Sequence, residues 1–221
     1  MKSSILVVSL LLALGASAAM ARSSYCWISV GDSGFYQPWN GQAGGAGWYK
    51  GSALNLYIVS TSRDPFTSGQ QSDISTALGN WNSTSGSGLS ITTSVVTGRP
   101  SPTGLYIIVQ FGSVTACDPT GQAPACTEWT YNTTTGNAVY STISVNTSKG
   151  SSAMLSLMAH EMGHTYMIAD CPDSVGCSTS YTTMDGSSII EGSSPTSPLC
   201  CDLDLLYEIT PTNRYGSFCS P

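Results

Sequence analysis

The only two histidines of this chain, His160 and His164, stand four residues apart. Side chains at i and i+4 lie one above the other on a helix face, so the pair converges on one point only if residues 160–164 are helical. Glu161 sits beside them, giving His160-Glu161-Met162-Gly163-His164. Neutral imidazoles at this spacing suit Zn²⁺, and a catalytic site takes three protein ligands and leaves a fourth position for water. Glu161, one residue along and pointing off the metal, is the expected general base. Histidines scattered as ordinary surface or core residues would rarely both fall inside one five-residue motif.

The chain opens Met1-Lys2, continues through an apolar run from Ile5 to Leu14, and reaches small residues at Ala16 to Ala21. This is the pattern of a secretory signal peptide, expected over residues 1–21. The run is too short for a membrane span, and a secreted, extracellular and monomeric protein is expected. Loss of Lys2 leaves six basic against 13 acidic residues, a net charge of about −7, which argues against nucleic-acid and anionic-membrane partners. Eight cysteines (26, 117, 126, 171, 177, 200, 201 and 219) remain, an even number that implies up to four disulfides and no free thiol.

Residues 22–53, rich in glycine and aromatics, read as an irregular N-terminal segment. It is either a disulfide-tied strap or a short pro-segment with Cys26 masking the metal. A single domain is expected over residues 54–221. Strands are predicted at Leu54–Ser60, Leu89–Val96 and Leu105–Phe111. A helix is predicted over 68–83, with Ser68 and Gln71 as its capping box and Ile74, Ala77, Leu78 and Trp81 as its apolar face. Residues 113–137 read as a long loop held by Cys117 and Cys126. Val139–Val145 reads as an edge strand, and a helix with the apolar stripe Met154, Leu155, Met158 and Met162 then carries the motif. The order predicts an α+β domain, a mixed sheet with helices on one side. Asn82, Asn132 and Asn146 each begin an N-glycosylation sequon.

The motif, then Asp170, then Tyr181-Thr182-Thr183-Met184-Asp185, resembles the zinc metallopeptidases called metzincins. The closing stretch from Leu199 to Tyr207 is similar to the C-terminal helix of the matrixin branch. The likeness spans roughly residues 54–208, but only 160–184 is specific. The resemblance implies a zincin fold, a secreted zinc endopeptidase acting on protein or peptide, and His160, His164 and Asp170 as ligands. It also implies Glu161 as catalytic base and Met184 as the methionine of the turn beneath the metal. Two departures stand out. Aspartate replaces the third histidine, and Met167 stands where the family has glycine. A helix running straight on would place Asp170 about 240° round from His164, so the chain must break between them. Asp173, Asp185 and Glu191 remain alternative third ligands.

The chemistry that follows is peptide hydrolysis by a zinc-bound water, with Glu161 relaying the proton and the strand ending near Val145 pairing with extended substrate. Some branches have an assisting tyrosine two residues after the turn methionine, where this chain has Gly186. A secreted zinc-containing binding or adhesion domain without turnover is the alternative. Calcium is left open, since no dense carboxylate loop occurs.

Overall fold

The structure is a computed structural model that describes residues 47–148, 153–168, 170, 182–185, 195–199 and 201–203. The expected leader, Cys26, and the alternative ligands Asp173 and Glu191 lie outside these residues. The fold is α+β: β1 (Ala53–Val59), α1 (Ser68–Ser85), β2 (Ser90–Val96), β3 (Leu105–Phe111), β4 (Ala125–Tyr131), β5 (Ala138–Val145) and α2 (Met154–Thr165) follow in chain order. The strands form one mixed sheet in the order β2-β1-β3-β5-β4, with both helices on one face.

Strand β1 (Ala53–Val59) alternates, with Leu54, Leu56 and Ile58 fully buried and the residues between them on the opposite face. It pairs in parallel with β2 (Ser90–Val96) and with β3 (Leu105–Phe111). β3 pairs in parallel with β5 (Ala138–Val145). The buried side chains Ile107 and Val109 of β3 and Ile143 and Val145 of β5 continue the inner face set by β1.

Helix α1 (Ser68–Ser85) buries Ile74, Ala77, Leu78 and Trp81, the predicted face, against that sheet. Its capping box is one residue earlier than expected. Thr67, not Ser68, is the N-cap: its Oγ1 accepts from Gln70 N at 3.2 Å, and Gln70 Oε1 accepts from Thr67 N at 2.9 Å. Gln71 instead donates to the Phe66 carbonyl at 2.8 Å, which fixes the entry of the chain. Gly86, at φ 64°, ends the helix. Full burial of each large apolar side chain on this face contributes about 1.5–3 kcal/mol. Trp81 adds a hydrogen bond from Nε1 to the Ala159 carbonyl of α2 at 2.7 Å, so its loss would cost about 3–5 kcal/mol and uncouple the two helices.

Two strand assignments are corrected. Residues 113–137 are not one loop, because β4 (Ala125–Tyr131) runs through them, antiparallel to β5. Its β-forming Thr127, Trp129 and Tyr131 sit on one face, the alternation that marks a strand. The strand at 138–145 is consequently internal, flanked by β3 and β4, and β4 is the sheet edge. The predicted Cys117–Cys126 pairing forms, with Cα atoms 5.6 Å apart, and ties the remaining loop 113–124 to the start of β4. Among the described residues no cysteine is free.

The end of the N-terminal segment packs into the domain. The Gly47 carbonyl accepts from Ala138 N at 2.8 Å, and buried Trp48 donates from Nε1 to Thr165 Oγ1 at 3.2 Å. Two of the three sequon amides are engaged by the fold. Asn82 Nδ2 donates to the Leu89 carbonyl at 2.9 Å, and Asn146 Nδ2 donates to the Gly121 and Ala123 carbonyls at 3.1 and 2.9 Å. Asn132 is exposed in the β4–β5 turn, where only its Oδ1 is used, accepting from Thr134 N and Thr135 N. No helix among the described residues is long and apolar enough to cross a membrane.

Candidate metal centre

Helix α2 (Met154–Thr165) carries the motif. Met154, Met158 and Met162 are buried in the core, as their spacing predicts, and this seats His160 and Glu161 at 3% exposure each. The helix ends where the sequence demands a break. Met167 takes φ 65°, the left-handed conformation, and is the only non-glycine residue at positive φ among those described. Ile168 N donates to the Gly163 carbonyl at 3.3 Å and Met167 N to the His164 carbonyl at 2.8 Å. These are the paired bonds of a Schellman stop, a place that ordinarily takes glycine. The left-handed turn costs a methionine about 1–2 kcal/mol. Burial of the Met167 side chain, 6% exposed, offsets a cost of this size. Trp81 stacked on Tyr166, with ring centroids 5.0 Å apart, and Trp48 on Thr165 hold the helix end in place.

The reversal brings Asp170 back to the histidines. His160 Nε2 and His164 Nε2 lie 3.1 Å apart, and Asp170 Oδ1 lies 2.9 and 3.4 Å from them. Donors bound at about 2.1 Å in tetrahedral or octahedral geometry are separated by about 3.0–3.4 Å, so the three atoms are spaced as the donors of one ion. His160, His164 and Asp170 form a group that could hold a metal ion. Asp185, the described alternative, is buried outside this group.

The outer shell sets the imidazoles for this task. His160 Nδ1 faces the Thr183 carbonyl at 2.9 Å and His164 Nδ1 faces the Ile168 carbonyl at 2.7 Å. A carbonyl only accepts, so each Nδ1 carries the hydrogen and each Nε2 presents its lone pair to the centre. The Ile168 carbonyl is in place because of the turn at Met167. The Thr183 carbonyl is in place because buried Asp202 grips that segment: it accepts from Thr182 Oγ1, Thr183 N, Thr183 Oγ1 and Leu199 N at 2.6–2.9 Å. Burial pushes the Asp202 carboxyl pKa up, against the lowering effect of those four bonds. Met184, fully buried next in chain, lies directly against the helix at Gly163, where an added Cβ would stand 2.3 Å from its Sδ.

Electrostatics at the donor group favour positive charge. Burial acts to lower the His164 pKa, but the hydrogen bond to Asp170 and the charges of Glu161 and Asp170 outweigh it and raise the pKa to about 9. Burial likewise acts to raise Asp170, yet hydrogen bonds from both histidines hold its carboxyl well below the usual range. Donation to Asp170 places a proton on Nε2, the atom whose lone pair a metal ion would use, so a metal held there would have to displace that proton.

The donors open onto a cleft of about 300 Å³ walled by Thr127 and Trp129 of β4 and by the disulfide-tied loop with Asp118 and Pro124. Asp118 shapes that loop, accepting from the backbone N–H groups of Thr120, Gln122 and Ala123 at 2.7–2.9 Å. Glu161 also lines the cleft, and its Oε2 accepts from Thr127 Oγ1 at 2.5 Å.

All five predicted site residues, His160, Glu161, His164, Asp170 and Met184, are thus gathered at one place. Nothing in the residue pattern pointed to the two backbone carbonyls, since any residue supplies one. Thr127 was hidden in a segment read as loop. Asp202 had a faint signal, one of two acids in the otherwise apolar stretch from Leu199 to Leu206. No protein-family model matches the chain, and comparison with curated proteins finds no match either.

Proposed function

We propose that this chain is a secreted zinc-dependent endopeptidase of the metzincin-like kind, with His160, His164 and Asp170 as ligands and Glu161 as general base. The observation that carries this reading is the convergence of Nε2, Nε2 and Oδ1 at 2.9–3.4 Å, with Glu161 beside them on the same cleft. The donor set fits zinc. Two imidazoles of fixed tautomer and one carboxylate supply the nitrogen and oxygen ligands of a catalytic site, and three protein donors leave room for water. When bound, zinc supplies Lewis acidity toward a water and a peptide carbonyl.

The remaining work falls to the chain. Glu161 takes the proton of the attacking water and returns it to the leaving amine, a role open to a carboxylate that lines the cleft while standing off the three-donor cluster. Edge strand β4, with no strand beyond it among the described residues, offers free backbone groups along the cleft on which an extended peptide pairs. This assigns to β4 the role that the sequence assigned to the strand at 139–145. Met184, packed under the helix at Gly163, sets the height of the floor below the ligands.

Two histidines and a carboxylate also suit ferrous iron, but that chemistry has no use for a second carboxylate at Glu161. Secretion accords with the leader pattern and the Cys117–Cys126 bridge. The test is metal analysis with a casein digestion assay on the purified mature chain and on Glu161→Gln. One zinc in both, and turnover only in the parent, is expected. Zinc without turnover in the parent would leave a metal-containing binding domain, and iron in place of zinc would remove the peptidase assignment.

A further inference from the structure

Thr127 is a residue that the reaction as outlined does not use, yet it touches the general base. It lies on β4, with its side chain on the helix-facing side of the sheet and its backbone on the edge that borders the cleft. Its hydroxyl donates to Glu161 Oε2 at 2.5 Å, a short bond of the kind a hydroxyl makes to a carboxylate. Glu161 is 3% exposed, so the orientation of its carboxylate is set by protein partners and not by bulk water. The bond occupies one carboxylate oxygen and leaves the other to exchange a proton.

We infer, on the reading of this chain as a zinc peptidase, that Thr127 is a positioning residue for Glu161. It holds one carboxylate oxygen so that the other faces the attacking water, and it couples the orientation of the base to the strand on which substrate docks. Asp118 and Trp129 line the same cleft but no bond joins them to the base, so the tether belongs to Thr127 among the described residues. Proton transfer depends steeply on geometry, and displacement of a reacting group by about 1 Å costs about 100-fold in rate.

The test compares Thr127→Val, Thr127→Ala and Thr127→Ser with the parent, each loaded with one equivalent of zinc, by steady-state cleavage of a fluorogenic peptide. Valine keeps the shape and removes the hydroxyl, and serine restores it. A fall in kcat of about 10–100-fold in Thr127→Val, with KM within about 2-fold and zinc stoichiometry unchanged, is expected, with kcat recovered to within about 3-fold in Thr127→Ser. Damage to the docking strand alone would raise KM and would not be mended by serine. Thr127→Ala makes the same comparison without the added methyl, should the valine variant fail to fold. Parental kcat in the valine or alanine variant, or loss shared equally by serine, overturns the assignment of Thr127 and leaves the peptidase reading standing. A zinc-loaded parent that cleaves nothing overturns both.

Discussion

Gly163→Ala sets two effects of opposite sign against each other in the middle of the motif helix. On helix propensity alone the substitution should stabilise by about 1 kcal/mol, because alanine gives up less backbone entropy than glycine. The structure leaves no room for it. The new Cβ would stand 2.3 Å from Met184 Sδ, 3.2 Å from Met184 Cε and 2.9 Å from Trp81 Cζ2. Trp81 cannot retreat easily, since its Nε1 is bonded to the Ala159 carbonyl at 2.7 Å and its ring is stacked on Tyr166. Met184 is fully buried and follows Thr183, whose carbonyl holds His160 at 2.9 Å, so moving it disturbs the His160 imidazole. Overpacking of this kind costs about 1–3 kcal/mol, which exceeds the propensity gain through most of that range. The difference is a net loss of up to about 2 kcal/mol, which lowers the thermal midpoint of a chain of this size by up to about 8 °C. The displaced Thr183 carbonyl should also weaken zinc binding by about 10–100-fold. Thermal unfolding with and without zinc, and competition for zinc against a chromophoric chelator, measure the two effects. Gly79→Ala in α1 is the internal control: nothing lies within 4 Å of its Cβ, so it should gain about 0.5–1 kcal/mol. A Gly163→Ala protein stabilised like the control, with parental zinc affinity, would refute the close packing of Met184 and Trp81 against the motif.

Asp170→Ala should lose most of its zinc in equilibrium dialysis, and Asp170→His should regain it, because imidazole supplies the same third donor; full occupancy in the alanine variant would remove Asp170 from the ligand set. In the metal-free protein His164 is raised from 6.5 to about 9, so the native state holds this proton more tightly than the unfolded chain. The stability it contributes is complete below pH 6.5 and is lost as pH rises through about 9, so the metal-free thermal midpoint should fall across that window. Saturating zinc should flatten the fall, since the metal replaces the proton. Expressed through a eukaryotic secretory pathway, the chain should carry glycan at Asn132 and not at Asn146, whose amide is bonded to two carbonyls inside the fold. Peptide mapping before and after deglycosylation reads this directly.

Local chemistry determined much of this protein. Two histidines at i and i+4 required a helix there, and Asp170 six residues on required that helix to break. The break falls at Met167, because a left-handed residue is the shortest way to reverse a helix and satisfy its last carbonyls. The apolar faces of α1 and α2 were legible for a similar reason, since a 3.6-residue period is written in each segment separately. What lies beyond those segments depended on neighbours. A strand's place in a sheet is not encoded in its own residues, so Val139–Val145 looked like an edge until β4 was found outside it. β4 itself was obscured by the disulfide loop and turn residues on either side of it. The His160–Thr183 bond, the Asp202 grip on that turn and the Thr127–Glu161 tether join residues 19 or more positions apart. A motif specifies which side chains meet a metal, whereas only packing at a distance decides which backbone and hydroxyl groups hold them still.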